Sequence, residues 1–174
     1  MEDTSALRLA RVLKVLITLV FVCNIIALFF VPWLSGLRGV TIFGHLSGYA
    51  APQGDRPAGI YSAVLTVFLL FCGCCTAVLL WQSRRILGTL AAARPFCREN
   101  ADAMRRSACC CFLIAAAAFV RTCWGFWFYR SLRPLLTYNA LFCPLFLLAG
   151  LLGMVISALF RQAAGLKEEN DLTI

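Results

Sequence analysis

Hydrophobic residues in this chain are gathered into four long runs, at about 15–34, 60–82, 108–128 and 135–160, with almost every charge in the gaps between them. Each run reaches the roughly 20 residues that a helix needs to cross the hydrocarbon core of a bilayer. None carries the polar face of a helix lying on a soluble core. Backbone amides in lipid find no water, so each run must satisfy its own hydrogen bonds and is predicted to be an α-helix. The expected fold class is all-α: one integral membrane bundle of four transmembrane helices spanning residues 1–174, with no stretch left over for a second domain.

The cations set a direction. Arg8, Arg11 and Lys14 precede the first run, Arg84, Arg85, Arg94, Arg98, Arg105 and Arg106 lie between the second and third, and Arg161 and Lys167 follow the fourth. Those eleven share one side of the membrane, against Arg38, Arg56, Arg130 and Arg133 on the other. Positive residues stay on the cytoplasmic side, so both termini and the middle connection are expected inside, N-in and C-in. The same residues are placed to meet anionic lipid headgroups. Trp33, Tyr61, Trp127, Tyr129 and Tyr138 fall near the expected outer ends and Trp81 near an inner end, as an interfacial belt requires. The exit from the first run, Val31-Pro32-Trp33-Leu34-Ser35-Gly36, lacks a small-x-small cleavage pattern, so that run is expected to remain as a signal anchor.

Composition closes off several classes. At 61% hydrophobic and mean hydropathy +0.84, the chain cannot form a soluble surface. The formal charge of +8 is spread along membrane flanks rather than concentrated on a domain, which argues against direct nucleic-acid binding. His45 stands alone in the outer connection at 35–59, and Asp55 is its sole acid, so no metal site is expected there. That connection is rich in Gly and Pro, with Val40-Thr41-Ile42-Phe43 as its one strand-like piece.

Nine of the ten cysteines lie in the apolar runs and Cys97 in the middle connection, away from any oxidising outer loop. Cys72 and Cys75 make a formal C-x-x-C, but near the middle of the bilayer, where a thiolate is disfavoured. The sulfurs are therefore expected to behave as small apolar groups, with acylation at Cys109–Cys111 the remaining chemistry. No catalytic residues and no cofactor are expected. Two polar residues inside the runs are costly there and informative: Asn24 in the first, and Arg121 about two turns below the outer end of the third. Arg121 has two options, to snorkel outward or to face the bundle with Asn24 or a carbonyl as partner. Ala149 and Gly153 offer a close-packing face, within the bundle or between copies in a homo-oligomer.

Both remaining features sit on the basic side. Pro95-Phe96-Cys97-Arg98-Glu99-Asn100 looks like the start of a helix running into the third span, with Asp102 able to pair with Arg105 and Arg106. The tail from Phe160 to Ile174 continues the fourth span and ends in Glu168, Glu169 and Asp171. Those acids either pair with the basic middle connection or present a patch to a basic partner.

These two pieces, Pro95-Phe96-x-x-Glu99-Asn100 and Leu166-Lys167-Glu168-Glu169-Asn170-Asp171-Leu172-Thr173-Ile174, resemble a bacterial family of small four-span membrane proteins, domain of unknown function 2975. Gly165, and Cys97 where a small hydroxyl residue is expected, depart from its pattern. The resemblance implies a bacterial plasma (inner) membrane location and a non-enzymatic protein, with a small cytoplasmic helix-turn-helix regulator as the partner it restrains. Docking would then fall to Pro95, Phe96, Glu99, Asn100, Leu166, Glu168, Glu169, Asp171, Leu172 and Ile174. Two alternatives stay open: a transporter accessory or small exporter with Asn24 and Arg121 lining a polar path, and a membrane thiol oxidoreductase.

Overall fold

The computed structural model describes residues 2–36, 58–92, 96–129 and 138–172. The strand-like piece at 40–43, His45, Asp55, Pro95 and Ile174 lie outside the described residues, as do the side chains of Trp33, Tyr61, Tyr129, Tyr138, Asp171 and Leu172. What is described is all-α: α1 (Glu2–Gly36), α2 (Ala58–Ala91), α3 (Arg98–Tyr129) and α4 (Tyr138–Leu172). All four are long and apolar enough to cross a membrane, and the protein is a multi-pass membrane protein in contact with lipid.

Each helix outruns the bilayer. At 1.5 Å per residue, α4 with its 35 residues is about 52 Å long, against about 30 Å of hydrocarbon. The excess lies beyond the apolar runs. The sequence pattern ends the second span at 82, yet α2 continues to Ala91 through Arg84, Arg85 and Gly88, because arginine is a good helix former and one glycine costs only about 1 kcal/mol. The connection that follows is consequently short, and Ala92 closes it with its N–H on the Gly88 and Thr89 carbonyls. Pro32 and Pro144 lie inside α1 and α4, and packing neighbours in a membrane commonly tolerate such interruptions.

Helices neighbouring in sequence pack antiparallel, α1 on α2, α2 on α3, and most extensively α3 on α4. Lipid tails offer no hydrophobic drive between helices, so close approach depends on small side chains. A Cβ on Gly153 would stand 3.1 Å from the Ala108 Cβ and 3.6 Å from its Cα; one on Gly150 would stand 2.9 Å from the Phe112 ring. The close-packing face of α4 is therefore Gly150 and Gly153, turned onto α3 within the chain, while Ala149 is exposed. The α3 face opposite is built from buried alanines, Ala101, Ala108 and Ala115 among them. Gly73 does the same for α1 and α2, where an added Cβ would meet Leu28 at 2.6 Å. By contrast, no described residue of α1 is wholly buried; its extensive contacts are with α2.

Gly153 faces backbone that cannot move aside, whereas a Cβ added at Gly165 would meet nothing within 4 Å. Gly153→Leu should lower thermal stability in detergent by about 1–3 kcal/mol, while Gly165→Ala should be neutral or raise it by up to about 1 kcal/mol through helix propensity. A thermal-shift series on the purified variants checks both signs.

Candidate functional site at the basic end

The antiparallel packing brings the α1 start, the α2 end, the α3 start and the α4 end to the same side, where the cations collect. Here three helices project past the hydrocarbon and lock to one another. Asn100, on the first turn of α3, is only 1% exposed. Its Oδ1 accepts the Thr89 hydroxyl of α2 at 2.8 Å. A buried amide without a partner would cost about 1–3 kcal/mol, so this bond fixes where α3 begins relative to α2. One residue earlier, Glu99 meets Arg85 of α2 at 3.4 Å.

The α4 end is held from α3. Ser157, buried, donates to the Ala101 carbonyl at 2.8 Å. The Phe96 and Phe160 rings lie 5.8 Å apart at 40°. Further out, the Arg98 guanidinium makes a two-pronged bond to Glu168, Nε to Oε1 at 3.0 Å and Nη2 to Oε2 at 2.6 Å. Both partners are largely exposed (69% and 54%), so the pair contributes at most about 1 kcal/mol. Its geometric effect is larger, since it pins the outer turns of α4 to the α3 start.

The two sequence pieces thus meet in space, through Phe96, Arg98, Glu99 and Asn100 on one side and Phe160 and Glu168 on the other. Asn100 lies beneath the surface, Phe96 is half exposed, and Leu166 is 67% exposed between the charged residues of the tail. Glu168 takes the intramolecular option, pairing with the basic middle segment. Asp102 makes no ion pair with Arg105 or Arg106 among the described residues; all three side chains are exposed, where such a pair gains only a few tenths of a kcal/mol.

The intramembrane polar residues do not converge. Arg121 lies over the Phe68 ring of α2, 4.6 Å from its centroid, and the Asn24 Oδ1 is buried without a hydrogen-bond partner among the described residues. Asn24 is on α1 and Arg121 on α3, two helices that share no extensive contact, so they do not pair. Sequence reasoning passed over Gln82, which is 6% exposed with its Oε1 unpartnered among the described residues, because it stood at the edge of an apolar run beside arginines. It also passed over Thr89 and Ser157, whose residue type gives no signal until a neighbouring helix supplies the partner. All ten cysteines are free thiols, and the glycine within Cys72-Gly73-Cys74-Cys75 makes room for Leu28. Among the described residues, no three His, Cys, Asp or Glu side chains group as a metal site.

Cys97 stands just before α3, and its carbonyl accepts the N–H groups of Asn100 and Ala101. That is the capping position, where a serine hydroxyl would satisfy a further amide. Cys97→Ser should stabilise the α3 start by about 0.5–1 kcal/mol, and Asn100→Leu should destabilise by about 1–3 kcal/mol by removing the buried amide that meets Thr89. Hydrogen exchange at 98–104 reports both.

No curated protein and no solved structure resembles the chain closely enough to match. A family described as Protein of unknown function (DUF2975) matches residues 40–174, which takes in α2, α3, α4 and both pieces of the basic-end site but not α1. The chain belongs to that family.

Proposed function

We propose that this protein is a non-enzymatic membrane anchor in a bacterial plasma membrane, with its basic end in the cytoplasm, and that the end of α4 holds a small helix-turn-helix regulator there. One observation supports this reading: Leu166, 67% exposed, lies beyond the apolar run at 135–160, on the part of α4 whose outer turns the Arg98–Glu168 pair ties to the start of α3. A large apolar side chain held out on a braced helix is a contact for another protein, since helix-in-groove recognition needs such anchors. Leu172 and Ile174 follow in the sequence as further apolar residues, and Phe96 is half exposed at the start of α3.

Charge supports a basic partner more weakly. Glu168 is engaged by Arg98, and exposed charge is screened within about 8–10 Å at physiological salt. Apolar contact is therefore the larger part of the affinity, with the acids selecting a basic surface. No specific observation favours a transport path or thiol chemistry over this reading.

Removing residues 167–174 should abolish retention of a small DNA-binding protein on native membranes, while the helices still insert. Leu166→Asp should reduce it at least tenfold, and Glu168→Gln by much less. Unchanged retention after the deletion would sink the reading.

A further inference from the structure

Not all the cations at the basic end are matched. Arg85 and Arg98 face carboxylates, whereas Lys14 and Arg84 have no carboxylate partner among the described residues. These two lie at the α1/α2 seam, Lys14 on α1 and Arg84 on α2. The Lys14 ammonium lies 3.6 Å from the position of a Cβ on Gly88, folded against α2 where the glycine leaves its backbone bare. Arg84, one turn away on α2, holds its guanidinium 6.0 Å from the Trp81 ring. Trp81 in turn packs on Phe21 of α1, with ring centroids 6.0 Å apart. Trp81, Arg84 and Gly88 are spaced i, i+3 and i+7, so they share one face of α2.

Depth matters as much as charge. Lys14 immediately precedes the first apolar run and Arg84 immediately follows the second, which puts both at the hydrocarbon boundary. Trp81 is 54% exposed, and Phe71 and Val78 are exposed on the same face of α2. Two cations from two helices, an amphipathic ring and an apolar track below them match the parts of one molecule, a phosphate above and an acyl chain beneath. We propose that the α1/α2 seam at the basic end is a binding site for an anionic phospholipid, with its phosphate between Lys14 and Arg84 and one chain along Trp81, Val78 and Phe71. The site is independent of the docking surface on α4. It also gives α1, none of whose described residues is wholly buried, a second attachment to α2 through the lipid.

Native mass spectrometry of the full chain, delipidated in detergent and offered phosphatidylglycerol, phosphatidylcholine or inorganic phosphate, tests the site. The wild-type chain should retain phosphatidylglycerol over phosphatidylcholine, and Lys14→Gln with Arg84→Gln should cut that retention by roughly ten- to thirty-fold, two basic contacts being lost. Arg105→Gln with Arg106→Gln removes equal charge at similar depth on α3 and should leave it within about twofold. Equal loss in both pairs would overturn the proposal in favour of diffuse basicity, and displacement of the lipid by inorganic phosphate would assign the site to a free anion instead. Should the first pair fail to fold, Gly88→Leu keeps every charge and displaces the Lys14 ammonium. Its retention should fall likewise, and unchanged retention there would overturn the proposal.

Discussion

The close approach of α3 and α4 is the contact on which the rest of the structure depends. In lipid, long apolar faces gain nothing by meeting one another, so two helices settle together only where their backbones can come near. Gly150 and Gly153 against Phe112 and Ala108 provide that nearness. Because the two helices are antiparallel and rigid, a contact near the middle of α4 also aligns everything beyond it. Ser157 reaches the Ala101 carbonyl, Phe160 reaches Phe96, and Glu168 reaches Arg98 in successive steps toward the basic end. A bulkier residue at Gly153 would disturb each of them in turn.

The four helices were legible in the sequence because bilayer thickness, backbone hydrogen bonding and charge exclusion all act on long windows. Their ends were less so. α2 runs nine residues past the apolar run that announces it, since nothing in Arg84, Arg85 or Thr89 opposes a helix and only tertiary contact decides where it stops. The Phe96–Asn100 and tail segments were visible as likenesses to a family, but their meeting was not, for Arg98 and Glu168 are 70 positions apart. Buried polar partners were the least legible. Asn24 and Arg121 stood out by residue type and do not pair, while Thr89, Ser157 and Gln82, inconspicuous among small or flanking residues, occupy the interfaces.

Tightness is uneven across the chain. α2, α3 and α4 share the buried residues, and they are the part that the family match covers. α1 is seated on α2 through Gly73 and Leu28 and through Phe21 and Trp81, with its remaining surface turned to lipid. The arrangement separates two parts: α3 flanked by α2 and α4, which sets the basic-end surface, and a peripheral α1 whose seam with α2 carries Lys14 and Arg84, cations with no carboxylate partner among the described residues.

The central claim is that α4 leaves the membrane as a rigid, braced helix rather than as a loose tail. Amide hydrogen exchange across residues 160–170, on the full chain in lipid nanodiscs, measures this directly. Braced as described, those amides should exchange slowly, with protection falling only over the last turn, and Arg98→Ala should speed exchange mainly from Lys167 outward. Exchange at the rate of an unstructured peptide from Phe160 onward would contradict the account, because no fixed surface would then exist at the basic end for a partner to read.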